Sequence, residues 1–188
     1  LLVFILGVSP LIVWAITRVL VPLGFPDTLA QALVLMAASS PIVSNVAIAL
    51  ILGLDAPLAV VVVLAGTALV PLTLPIAADA LVGVSLEMPL AEFMGRLLAL
   101  VGSAFVAAWL VRRLVPARTL EARRELIDGL AVINLLLFGL AIMDGVTAYA
   151  ITRPGYVALA IVAAYAFNLL LQAVGGLAFR GLGTTRAL

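Results

Sequence analysis

Apolar residues run along this chain in long blocks, and the charges are gathered between them. Leu1 to Pro22 is apolar apart from Ser9, Thr17 and Arg18, and it stops in the breaker-rich Pro22-Leu23-Gly24-Phe25-Pro26-Asp27. Thr28 to Gly53 carries no charge over 26 residues and closes in a turn at Gly53-Leu54-Asp55-Ala56. Four further blocks follow: Ala56 to Gly83, Phe93 to Val111, Leu126 to Tyr149 and Tyr156 to Phe179. They are separated by the short Val84–Glu92 loop, by the charged Arg112–Glu125 and by Arg153-Pro154-Gly155. A helix needs roughly 20 apolar residues to cross a hydrocarbon core about 30 Å thick. The pattern therefore predicts an all-α, polytopic transmembrane bundle of six spans. Pro10 is placed to kink the first span, and Pro71 and Pro75 to bend the third, where Asp79 lies within a turn of the end.

The second block is too long to be one straight span. As a continuous helix, Thr28 to Gly53 would reach about 39 Å. Its midpoint falls between Ser40 and Pro41, in the stretch Ala37-Ala38-Ser39-Ser40-Pro41-Ile42-Val43-Ser44-Asn45. Pro41 has no amide hydrogen, its ring clashes with the Ala37 carbonyl, and it pushes Ser40 out of the helical region. Ser40-Pro41 also reads as an N-cap followed by a first-turn proline, so a second half-helix is predicted to start there. Backbone groups opened at bilayer depth cost several kcal/mol each, so a break persists only inside protein or beside a wet cavity. Ser44 and Asn45 bring side-chain oxygens into the first turn of the second half-helix. The same residues would also serve a proline kink with close helix packing. Polar groups clustered at midspan favour an ion or substrate site of a secondary transporter.

Composition narrows the chemistry. Hydrophobic residues make up 66% of the chain and charged ones 10%, against about 25% charged in soluble domains, so this is an integral membrane protein. Every basic residue is an arginine, a bias of GC-rich coding that points to a bacterial inner membrane. The chain lacks cysteine, histidine and lysine. Disulfides, most transition-metal sites and most nucleophile–base pairs are thereby excluded, and no enzymatic activity and no cofactor are expected. No nucleic-acid motif is present. Beginning inside an apolar run without a methionine, the sequence reads as a fragment. Arg112, Arg113, Arg118, Arg123, Arg124, Arg180 and Arg186 fall on one side of six spans, and Arg18, Arg96 and Arg153 on the other. The richer side should be cytoplasmic. Contact with lipid headgroups is a secondary use of the arginine segment. Among the remaining intramembrane polar residues, Asn168 and Gln172 stand four apart and suit each other or a neighbouring helix, as does Asn134. Asp144 is read as interfacial, and Gly175-Gly176 as a site of close helix packing.

Small residues, then Ser40-Pro41, then Ser44-Asn45, then Gly53 and a long span resemble the crossover region of the bile acid:sodium symporter superfamily. The resemblance runs through the chain in span order, although the family's glycines after the proline are Ile42 and Val43 here. It implies spans three to eight of a ten-span transporter built from two inverted five-helix repeats, with the second broken helix beginning after Leu188. Residues 1–83, including the broken helix 28–53, would form three helices of a mobile core domain. Residues 84–150 would give two panel helices and the arginine-rich loop, and 151–188 the first helix of the second core half. The implied function is cation-coupled symport of a small organic anion by alternating access, in a multi-pass cell-membrane protein surrounded by lipid. Ser44 and Asn45, with carbonyls near Ala37 and Ala38, would hold the cation. Ser39, Ser40, Pro41, Thr67 and Asn168 would face the substrate. Sodium is the family's coupling ion, yet the hydroxyl positions thirteen and seventeen after the Asn are Leu58 and Val62, and the Gln five before the first proline is Ile5. Weak sodium dependence or proton coupling is expected. A channel and a structural membrane subunit are the rival readings, but neither rings of charge nor a filter motif is visible.

Overall fold

The computed structural model describes residues 1–39, 46, 49, 51, 53, 55–83, 89–143 and 145–180. Among these residues the chain is helical throughout, with no strand. Five helices are long and apolar enough to cross a membrane, and a sixth, Asp27–Ala38, is apolar but shorter.

Helix α1 (Ser9–Leu20) is entered through a π turn, Phe4–Val8, and closed by a 3-10 turn, Val21–Leu23. The π turn has a local cause. Pro10 cannot donate to the carbonyl four residues back, and a widened turn relieves the clash of its ring. The Ser9 amide and the Ser9 hydroxyl both donate to the Phe4 carbonyl, the hydroxyl at 3.0 Å. Helix α2 (Asp27–Ala38) follows after Gly24 turns the chain in the left-handed region. Helix α3 (Ala56–Ala77) starts at the Asp55 cap, whose carboxylate accepts from the Leu58 amide at 3.0 Å. It continues into a second π turn, Ala78–Val82, beyond Pro71 and Pro75, and ends at Gly83.

The described chain divides into two compact units, residues 1–102 with 164–188 and residues 103–163. In the first unit α1, α2 and α3 pack together. Leu6, Ser9, Pro10, Val13 and Thr17 repeat at helical spacing on one face, and Leu29, Ala30, Leu33, Val34 and Ala38 on another. Val13, Val34, Pro10, Pro71 and Pro75 are the largest of the fully enclosed side chains among the described residues. In lipid the tails are as apolar as these residues, so association rests on van der Waals fit, which Ala30 and Ala38 improve by letting backbones approach. Gly175 does the same locally: a Cβ there would stand 3.3 Å from Cε1 of Phe4.

In the second unit the two long helices expose apolar residues along most of their length. Helix α4 (Leu90–Leu114), which begins in the first unit, starts three residues before the expected Phe93 and ends three after Val111. The arginine-rich segment expected as a loop contains a short helix, α5 (Ala117–Ala122). Helix α6 (Arg124–Ile142) is followed by α7 (Val146–Thr152). The fifth span was expected to continue to Tyr149. It stops at Ile142 because Gly145 adopts φ +77°, a conformation without steric cost only for glycine. Helix α8 (Pro154–Arg180) begins with proline at its first position, where the absent N–H costs nothing. Neither α4 nor α6 has a buried residue, as expected of lipid-facing spans.

Candidate functional site

Helix α2 is built to begin at a surface and to stop partway. Asp27 sits in its first turn, where a carboxylate meets the positive end of the helix dipole, and it accepts from Gln31 Nε2 at 2.8 Å. Twelve residues later the helix ends at Ala38. Ser39 turns extended at φ −79°, ψ 159°, and its hydroxyl donates back to the Met36 carbonyl at 2.6 Å. At 1.5 Å per residue, twelve residues rise about 18 Å, little more than half of a 30 Å hydrocarbon core. Ala38 is fully enclosed, Ala37 half-buried and Ser39 exposed. The Met36 carbonyl in the last helical turn thus accepts from both the Ser39 amide, at 3.3 Å, and the Ser39 hydroxyl, beside the packed core.

Ser40, Pro41, Ser44 and Asn45 lie outside the described residues, as does Asp144. Thr67 is half-buried in α3 and donates its hydroxyl hydrogen to the Val63 carbonyl at 2.8 Å. Asn168 accepts from Gln172 Nε2 at 2.6 Å on an exposed face of α8. That local pair matches the plainer use of the i, i+4 spacing. Asn134 is exposed on α6. Leu58 and Val62 occupy the first turns of α3 and offer only carbon, and Val62 is buried.

Two features were not anticipated. Beside the outer turns of α1 and α2, a cleft of about 170 Å³ is lined by Trp14, Thr17, Arg18, Ala30, Gln31 and Leu81. The buried Trp14 Nε1 has no hydrogen-bond partner among the described residues. The second feature is a repeated pairing of an arginine with the aromatic ring one turn before it. Arg18 lies 5.2 Å over Trp14, Arg113 5.1 Å over Trp109, and Arg153 5.6 Å over Tyr149. Each pair is near a helix end, where an amphipathic ring and a snorkelling guanidinium sit at the headgroup level. The spacing of four was legible in the sequence, although its meaning depends on the helix, or the helix end, that carries both residues.

Comparison with protein-family models, with curated proteins and with solved structures returned no match. The fold itself defines the class: an all-helical membrane protein with five apolar helices of spanning length and one that stops short.

Proposed function

We propose that the chain is part of a cation-coupled secondary transporter that carries a small organic anion by alternating access, of the bile acid:sodium symporter kind. The observation that carries this reading is the end of α2 at Ala38–Ser39, after a rise of only about half the hydrocarbon thickness. Discontinuous helices at midplane are how such transporters expose backbone carbonyls to a cation and a helix N-terminus to an anion. Ala37 and Ala38 supply carbonyls, and Ser44 and Asn45 supply side-chain oxygens to the cation. Ser39, Ser40 and Pro41 face the anion, with Thr67 and Asn168 as further polar contacts. A sodium ion or a proton is the coupling species.

The test is counterflow in proteoliposomes of the purified protein, using labelled steroid carboxylates and shorter carboxylates. Accelerated exchange of label against unlabelled substrate is expected, and Asn45→Ala should abolish coupled uptake while helical content stays near wild type. Conductance without counterflow would make the protein a channel. Neither activity, or wild-type uptake by Asn45→Ala, would overturn the assignment.

A further inference from the structure

The five arginines of the 112–124 segment do more than mark a membrane side. Helix α4 ends at Leu114, α5 spans Ala117–Ala122, and α6 begins at Arg124, so two breaks separate the two apolar spans. At these breaks is a depression of about 270 Å³ lined by Arg112, Val115, Ala117, Leu120, Glu121 and Arg124. Arg112 has no ion-pair partner among the described residues, and Arg124 has only Asp128, at a loose 3.7 Å with both side chains largely exposed. Two guanidiniums and the single carboxylate of Glu121 thus line one hollow, and no close ion pair between them is formed among the described residues. Val115 and Leu120 make its walls partly apolar, and exposed Leu114 and Leu126 extend that surface along the adjoining spans. Arg113, stacked on Trp109, holds the end of α4 at headgroup depth.

We infer that this depression binds the phosphodiester of an anionic phospholipid. Guanidinium forks match phosphate oxygens, basic hollows between span ends suit lipid headgroups, and the acyl chains lie along the apolar helices. Glu121 opposes a bare anion and accepts instead from a headgroup hydroxyl, which favours a glycerol-type headgroup over inorganic phosphate. The site is independent of what the protein transports.

Native mass spectrometry of the purified protein in detergent tests it, with dioctanoyl phosphatidylglycerol, dioctanoyl phosphatidylcholine and inorganic phosphate as probes. One saturable phosphatidylglycerol site is expected, with phosphatidylcholine much weaker and phosphate unable to displace the lipid at equal concentration. Arg112→Gln with Arg124→Gln should weaken binding roughly tenfold to 30-fold, since each arginine at the surface contributes on the order of 1 kcal/mol. Ala117→Leu keeps every charge but fills the hollow, and should weaken binding too. Arg118→Gln, outside the hollow, should stay within about twofold of wild type, as a single screened surface charge does. Equal binding of phosphatidylcholine, displacement by phosphate, no loss in both the double variant and Ala117→Leu, or an equal loss in Arg118→Gln would overturn the site.

Discussion

Gly175 and Gly176 are adjacent in sequence and differ in surroundings. A Cβ at Gly175 meets Cε1 of Phe4 at 3.3 Å, whereas one at Gly176 meets nothing within 4 Å. Gly175→Leu should therefore force the Phe4 ring and the π turn aside and cost about 1–3 kcal/mol, the usual range for overpacking. Gly176→Ala should be neutral or slightly stabilising, because alanine is the better helix former. Unfolding of the purified variants in detergent, followed by circular dichroism, checks both. Equal stability of the two would remove the packing role from Gly175. The glycine pair was readable as a packing site, but which of the two touches a neighbour was not, since that depends on the rotation of α8 against Phe4. Asn168 and Gln172 teach the converse: their spacing offered a bond to each other or to a neighbouring helix, and the 2.6 Å bond between them is the first of these, because i, i+4 neighbours share a helix face whatever surrounds them.

At the scale of elements, caps and breakers decided most boundaries. Asp55 is the side-chain cap of α3, accepting from Leu58 N at 3.0 Å. Asp55→Ala should destabilise the protein by about 1 kcal/mol and Asp55→Ser by much less, since serine also caps well. Chemical denaturation of the two variants measures the difference, and equal losses would show that the charge rather than the cap matters. The early end of α2 was legible from Pro41, which strips a donor and blocks the turn before it. The end of α6 was not anticipated, because Leu126 to Tyr149 reads as one apolar block and only the left-handed Gly145 interrupts it. A glycine within an apolar run is compatible with helix or with a break, and its neighbours decide. The two π turns were also missed. The prolines that accompany them were noted as kinks, but whether a helix relieves a proline by bending or by widening depends on its packing.

For the molecule as a whole, the arginine bias predicts the orientation. With no native cysteine to give background, a cysteine at Ala117 should be shielded from an impermeant thiol reagent in intact cells, and one at Gly155 should be labelled. Both positions are exposed. The opposite labelling would reverse the topology. Under the proposed transport, the coupling ion is the second prediction at this scale. Sodium needs several oxygens to replace its hydration shell, and the α3 positions Leu58 and Val62 provide none. Uptake measured against sodium at fixed pH and voltage should rise weakly, or respond to pH instead. A steep, saturable rise at low millimolar sodium would mean that Thr67 or other oxygens complete the site.

The sequence by itself determined that this is a helical membrane protein, where most spans fall, and that α2 stops early. Those properties follow from the length of apolar runs and from the missing N–H of proline, both of which are local. Tertiary structure decided which face of each helix is enclosed and which of two glycines meets a ring. It also showed that Arg112 and Arg124, twelve residues apart in sequence, line one hollow. In lipid the apolar pattern no longer separates a packed face from an exposed one. Helix faces are chosen there by shape, and shape appears only once the helices are together.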